Sequence, residues 1–308
     1  MGRTLISFDW AMKKLLRSKA NYGILEGFLS ELLKQDVKIL RLLESESNKE
    51  TREDKQNRVD ILAELHNQEI VIIEVQVNTE LHYLQRMLYG TSKAISEYLG
   101  EGQGYSEVKK IYSVNILYFS LGHGKDYIYH GTTKFIGLHQ QDELELTSEQ
   151  KKIYSKDKIH QIYPEYYIIK VNQFDELAKD TLDEWIYFLK KEEIKDSFKA
   201  RGLLEAKNKL STLKLSDAER WEYEGYVKTQ RDQRSAIESN YTLGLFKGEE
   251  IGVEKGKKAG IEEGKKAGIE EGKKAGIEEG IEKTKAEIVK NMRKAGVSED
   301  KIRQFVEL

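Results

Sequence analysis

The chain reads as an α/β domain, a mixed sheet flanked by helices, with a helical C-terminal extension. Three observations carry that reading. Helix-like and strand-like segments alternate over about residues 1–195. Two adjacent segments, RVDILAEL (58–65) and IVIIEVQV (70–77), have the composition of paired core strands around a short turn. Beyond residue 195 the apolar patterning gives way to charged, helical sequence ending in an octapeptide repeat.

The elements follow in order. Ile24, Leu25, Phe28, Leu29, Leu32 and Leu33 recur at helical spacing and predict a helix from about residue 21 or 22 to 34. Polar residues 44–57 read as a loop. In RVDILAEL, Val59, Ile61, Ala63 and Leu65 share one face and Asp60 takes the other. Residues 66–68 (HNQ) supply a turn, with Asn67 as the residue that tolerates left-handed backbone angles. IVIIEVQV returns as a buried strand. A helix is expected over about 79–99, with Leu81, Leu84, Leu88, Ile95 and Leu99 on its apolar side. YSVNILYF (112–119), YIYHGTTKF (127–135) and EYYIIKV (165–171) read as further strands, and 175–190 as a helix. The aromatic-rich runs fall in these periodic segments and read as core. Ser216 and Glu219 form a capping-box pattern in the helical extension at 196–245.

The segment 246–290 is built on GKKAGIEE, present in register at 256–263, 264–271 and 272–279, with glycine at every fourth position from Gly244 to Gly280. Each glycine inside a helix costs about 0.8–1.0 kcal/mol relative to alanine. Each i,i+4 Glu–Lys pair returns roughly 0.2–0.5 kcal/mol. An isolated helix is therefore expected to be marginal here. Because four residues advance a helix by about 400°, the glycine stripe winds around the axis by about 40° per step. The segment is either a solvated linker or a surface for self-association, which would make the protein a homo-oligomer. Residues 291–308 close the chain with short helices, and Ser298 is placed to cap the last.

Composition narrows the function classes. The 308 residues include 34% charged residues, a formal net charge of −2 and no cysteine. Disulfides and thiolate metal sites are excluded. A globally basic nucleic-acid footprint is absent, although a local patch would suffice. No run reaches the roughly 18 apolar residues of a spanning helix, and the N-terminus lacks a signal-peptide pattern, so the chain reads as soluble and cytoplasmic with no membrane partner. The histidines form no HExxH-like ligand spacing, and none is assigned a role.

The chemistry is carried by the strand pair. With a three-residue turn, positions whose numbers add to 134 face each other, so Asp60 lies opposite Glu74, with Cβ atoms about 4.5–5.5 Å apart. Gln76 points the same way as Glu74. Two facing carboxylates repel unless a hard cation joins them, and Mg²⁺ prefers such oxygens. Gln76 could then orient a water for metal-assisted phosphodiester hydrolysis. The other reading is a pair of strand acids at the solvated end of the sheet, satisfied by water or Arg58. Arg86, Tyr89 and Lys93 share one face of the 79–99 helix, either as phosphate contacts or as an ordinary solvated face. Asp9 is either a helix cap or an additional acid.

An Asp in one strand followed fourteen residues later by Glu-x-Gln in the next apolar strand resembles the PD-(D/E)XK nucleases. The ordered set is similar to the Rpn family of recombination-promoting nucleases, or PD-(D/E)XK nuclease family transposases. The set comprises FDWAMKKLL (8–16), Asp60, Glu74, Gln76, the Arg86-x-x-Tyr89 helix and the YSVNILYF strand. The resemblance covers about residues 1–195. It implies a restriction-endonuclease-like fold and a metal-dependent DNA endonuclease linked to recombination, mobile DNA or defence against foreign DNA. It also implies Asp60 and Glu74 as Mg²⁺ ligands, Gln76 where many relatives carry Lys, and DNA contacts from Arg86, Tyr89 and Lys93. The alternative is a catalytically vestigial DNA-binding or assembly protein.

Overall fold

The computed structural model describes residues 5–14, 16–43, 60–99, 104–211 and 215–306. Arg58, Val59 and the whole of the expected 44–57 loop lie outside them. The chain divides into two compact units, 1–227 and 228–308.

The first unit opens with helices α1 (Phe8–Lys14) and α2 (Tyr22–Leu33) and the strands β1 (Ile39–Leu42), β2 (Ile61–Leu65) and β3 (Ile70–Gln76). Helix α3 (Tyr83–Glu97) and strands β4 (Ile111–Leu117) and β5 (Ile128–Gly131) follow. Then come α4 (Ser148–Tyr154), β6 (Glu165–Lys170), α5 (Thr181–Lys191) and α6 (Leu203–Lys209). Helix α7 (Asp217–Lys294) begins in this unit and continues into the second, where α8 (Glu299–Val306) closes the described chain.

The strands form one mixed sheet in the order β1-β2-β3-β4-β6-β5. The centre is parallel, β3 with β4 and β4 with β6, and the outer pairings are antiparallel. Central parallel strands are covered on both faces, which is why β3 and β4 are apolar almost throughout. One face, carrying Val71, Ile73, Val75, Val114, Ile116 and Ile169, packs with α1, α2, α5 and α6 in the main core. Phe8, Phe28, Trp185 and Phe188 interlock there edge to face or tilted. The other face, carrying Ile70, Ile72 and Ile111, is covered by α3 through Ala94 and, near its start, Tyr83.

Local chemistry explains the boundaries. Ser216 and Glu219 make the expected reciprocal cap at the start of α7, with main-chain to side-chain bonds of 2.9 and 3.3 Å. Asp180 caps α5, accepting from the Asp183 amide at 2.8 Å, so this helix begins later than the apolar pattern suggested. In the β2–β3 turn the left-handed residue is Gln68 (φ 66°), not Asn67. The Asn67 side chain instead brackets Glu69, donating to its carboxylate at 2.8 Å and accepting from its amide at 3.2 Å.

The expected apolar side of α3 is corrected. Leu81, Leu84 and Leu88 do not form the buried side of α3: they are 90, 51 and 58% exposed, while Tyr83, Thr91 and Ala94 face the sheet. The small side chains Thr91 and Ala94 let the helix lie close to the strands, and that close approach outranks the leucine pattern. The glycine repeat is helical throughout α7. Glu254–Lys258, Glu262–Lys266, Glu270–Lys274 and Glu279–Lys283 pair at 2.6–3.4 Å and offset part of the glycine cost. In the second unit α7 ends at Lys294 and is closed by Gly296 (φ 79°), after which the Val297 amide reaches back to the Met292 carbonyl at 3.1 Å.

Candidate active site

The β2–β3 ladder pairs Ile61 with Ile73, Leu62 with Ile72 and Ala63 with Val71. This register places Asp60, one residue before β2, across from Glu74. Asp60 is fixed in that place through both its side chain and its main chain. Its Oδ2 accepts from the Val75 amide at 2.7 Å, and its own carbonyl accepts from Arg17 Nη2 at 2.8 Å.

Glu74 is 6% exposed. Burial pushes its carboxyl above the ordinary value. The negative charges of Asp60 and Glu80 push the same way, and Arg86 opposes them. Arg86 reaches Glu74 from the first turn of α3: Nη2 donates to Glu74 and Nη1 to Glu80 at 3.0 Å. Its Nε is buried without a hydrogen-bond partner among the described residues. Helix α3 is therefore tied to the strand end through a carboxylate–guanidinium–carboxylate bridge.

The neighbouring strand extends the polar site. Asn115 of β4 stands beside Glu74 in the parallel register and is 1% exposed. The Tyr83 hydroxyl donates to Asn115 Oδ1 at 2.9 Å, and Asn115 Nδ2 donates to Ser113 Oγ at 3.0 Å. Burial and the Glu74 charge hold Tyr83 protonated, well above the usual tyrosine range. This network fixes the floor of the site.

Gln76, at the end of β3, is partly exposed and donates from Nε2 to the Asn78 carbonyl at 3.2 Å. Tyr89 is exposed, and Lys93 pairs with Glu97 at 3.8 Å along the same helix. Of the helix residues singled out from sequence, Arg86 is the one in contact with the carboxylates. Asp9 lies in the first turn of α1, is buried, and accepts a hydrogen bond from Tyr226 of α7, which ties it to the extension helix. Arg17, Glu80, Tyr83 and Asn115 were not singled out from sequence. Asn115 alone carried a signal there, as a polar residue inside an apolar strand, the same signal that marked Glu74.

Among the described residues no group of three or more His, Asp or Glu side chains is arranged to hold a metal ion. The donors at the strand ends are nonetheless of the kind Mg²⁺ takes. Asp60 and Glu74 supply carboxylate oxygens from opposed strands, and one of them is already neutralised by a cation.

A mixed sheet with an acid before one strand, a second acid across the hairpin and helices on both faces defines a PD-(D/E)XK nuclease-like core. The model of the PD-(D/E)XK nuclease family transposases matches residues 6–240, and the chain belongs to that family. The match runs through α6 and into α7, beyond the 1–195 span of the motifs. No curated protein and no solved structure matches the chain. No described helix is long and apolar enough to cross a membrane.

Proposed function

We propose that the protein is a metal-dependent DNA endonuclease whose site is Asp60, Glu74 and Gln76. Membership of a nuclease family supports a nuclease-like role in mobile DNA. The observation that carries the finer reading is the placement of Asp60 across from Glu74, with Glu74 held above its ordinary range by burial and by the Asp60 charge. Two acids kept this close lower their mutual repulsion by sharing a cation.

In this reading Asp60 and Glu74 hold Mg²⁺ or a similar ion. When bound, the ion supplies charge neutralisation at the phosphate and acidifies water. The Val75 amide keeps one Asp60 oxygen in line and so orients the other. Gln76 gives one N–H to the Asn78 carbonyl, which holds its amide so that the side-chain carbonyl oxygen can accept a hydrogen bond from the attacking water. Arg86 holds Glu74 before the cation arrives, and Tyr89 and Lys93 extend the same helix as DNA contacts. In this reading residues 1–195 are catalytic, 196–245 are a helical extension, 246–290 are a repeat segment through which chains assemble, and 291–308 are a helical end. The protein acts in the cytoplasm, in recombination or in defence against foreign DNA.

Supercoiled plasmid incubated with Mg²⁺ should be nicked by the wild type and left intact by Asp60→Ala and Glu74→Ala. Cleavage by both variants at the wild-type rate would sink the assignment. A second reading, a vestigial site in a DNA-binding assembly protein, is favoured by one observation: Arg86 already neutralises Glu74, and Gln76 brings no charge. DNA binding without Mg²⁺ binding by titration calorimetry would select it.

A further inference from the structure

The site as described is acidic at the place where a phosphodiester must come. Asp60, Glu74 and Glu80 gather there, and Arg86 has both terminal nitrogens committed to Glu74 and Glu80. A DNA backbone seated beside these carboxylates needs a cation with donors to spare.

Arg17 meets that requirement. It follows Leu16, whose side chain is fully buried and whose amide bonds the Ala11 carbonyl at 2.9 Å, so the chain leaving α1 is fixed where Arg17 emerges. The helix itself is anchored, with the Ser7 amide donating to the Tyr223 hydroxyl at 3.1 Å and Tyr226 donating to Asp9. Arg17 is exposed and gives one N–H to the Asp60 carbonyl at 2.8 Å. A guanidinium has five N–H donors. Among the described residues Arg17 has no carboxylate partner.

We propose that Arg17 binds a DNA phosphate next to Asp60 and sets the register of the backbone over the site. The assignment rests on the nuclease reading and adds to it a residue from a different element. The planar guanidinium matches two phosphate oxygens at once, which a lysine does not. Its bond to the Asp60 carbonyl holds the fork at a fixed distance from the acid pair, so phosphate and carboxylates are positioned by one residue.

The test is equilibrium binding of a fluorescein-labelled DNA duplex to the full chain over a salt series, with Ca²⁺ replacing Mg²⁺. Wild type, Arg17→Gln and Arg17→Lys are compared. Gln keeps a donor for the Asp60 carbonyl but removes the charge. Each phosphate contact adds about one unit to the slope of log affinity against log salt. Arg17→Gln should bind several-fold more weakly with a slope shallower by about 1, and Arg17→Lys should keep the slope. An unchanged slope and affinity in Arg17→Gln overturns the proposal, even where its cleavage falls, because that pattern belongs to a residue that only supports the Asp60 main chain. Binding is read without turnover, so failure of wild-type cleavage would remove the nuclease reading separately.

Discussion

The guanidinium of Arg86 is bonded to the buried carboxylate of Glu74, twelve residues earlier in the chain and on a different element. This pair stabilises the end of β3. Breaking a buried pair by removing one partner costs about 3–5 kcal/mol. Arg86→Met should therefore lower the melting temperature of the metal-free protein. It should also enlarge the stabilisation that Mg²⁺ brings, since a ligand that binds only the folded state adds to its stability and the acid pair is now uncompensated. Differential scanning fluorimetry with and without Mg²⁺ reads both effects. A Mg²⁺-induced shift no larger than in the wild type would mean that Arg86 and the ion do not share Glu74.

Gln76 separates a working site from a vestigial one. If its amide orients the attacking water, Gln76→Ala should lose about 10²-fold in single-turnover cleavage, the scale of one lost hydrogen-bonding group in a charged transition state. Gln76→Lys restores the charge that many relatives place here and should cleave within about tenfold of wild type. Equal rates for wild type and Gln76→Ala would remove Gln76 from the reaction.

The hairpin register was readable because three constraints coincide there. Strand alternation fixes the faces, the turn 66–68 fixes the offset, and both strands are long enough for the two to agree. The ion pairs at i,i+4 and the Ser216 cap were readable for a similar reason, since they depend only on local spacing. Arg86–Glu74 was not readable as a contact, because the sequence shows which helix face holds Arg86 but not where that face docks. The leucines of α3 misled for the same reason. The helix turns toward the sheet the side that fits closest, through Thr91 and Ala94, and leaves Leu81, Leu84 and Leu88 outside. Arg17 touches the site only through a main-chain carbonyl, which leaves no mark in the sequence of Asp60.

Two glycines should respond to alanine with opposite signs. A Cβ at Gly27 in α2 would stand 2.3 Å from the Arg201 carbonyl oxygen, which also accepts from Trp185 Nε1 at 3.1 Å. Gly27→Ala should cost about 1–3 kcal/mol by forcing α2 from the 201–202 turn. At Gly264 nothing lies within 4 Å, and alanine should stabilise the helix by about 1 kcal/mol. Thermal melts followed by circular dichroism should show a lower transition for the first and a greater helical signal at high temperature for the second.

At the other end of the parallel strands, Glu165 collects Lys110 at 2.7 Å, His130 at 2.7 Å and His160 at 3.2 Å. Burial pushes the Glu165 carboxyl up, but the bonds from Lys110 and His130 and the charge of Lys110 outweigh it, holding the group below its ordinary value of 4.5. A carboxyl whose value is lowered by folding contributes its full stabilisation above that ordinary value and loses it as the pH falls through the folded one. The melting temperature should therefore decline as the pH drops below about 4.5. Glu165→Gln should be less stable by about 1.5–3 kcal/mol at neutral pH, because Lys110 is left with weaker partners in a buried place. It should also show a flatter decline in acid. A variant that loses stability in acid as steeply as the wild type would place the acid-sensitive group elsewhere in the fold.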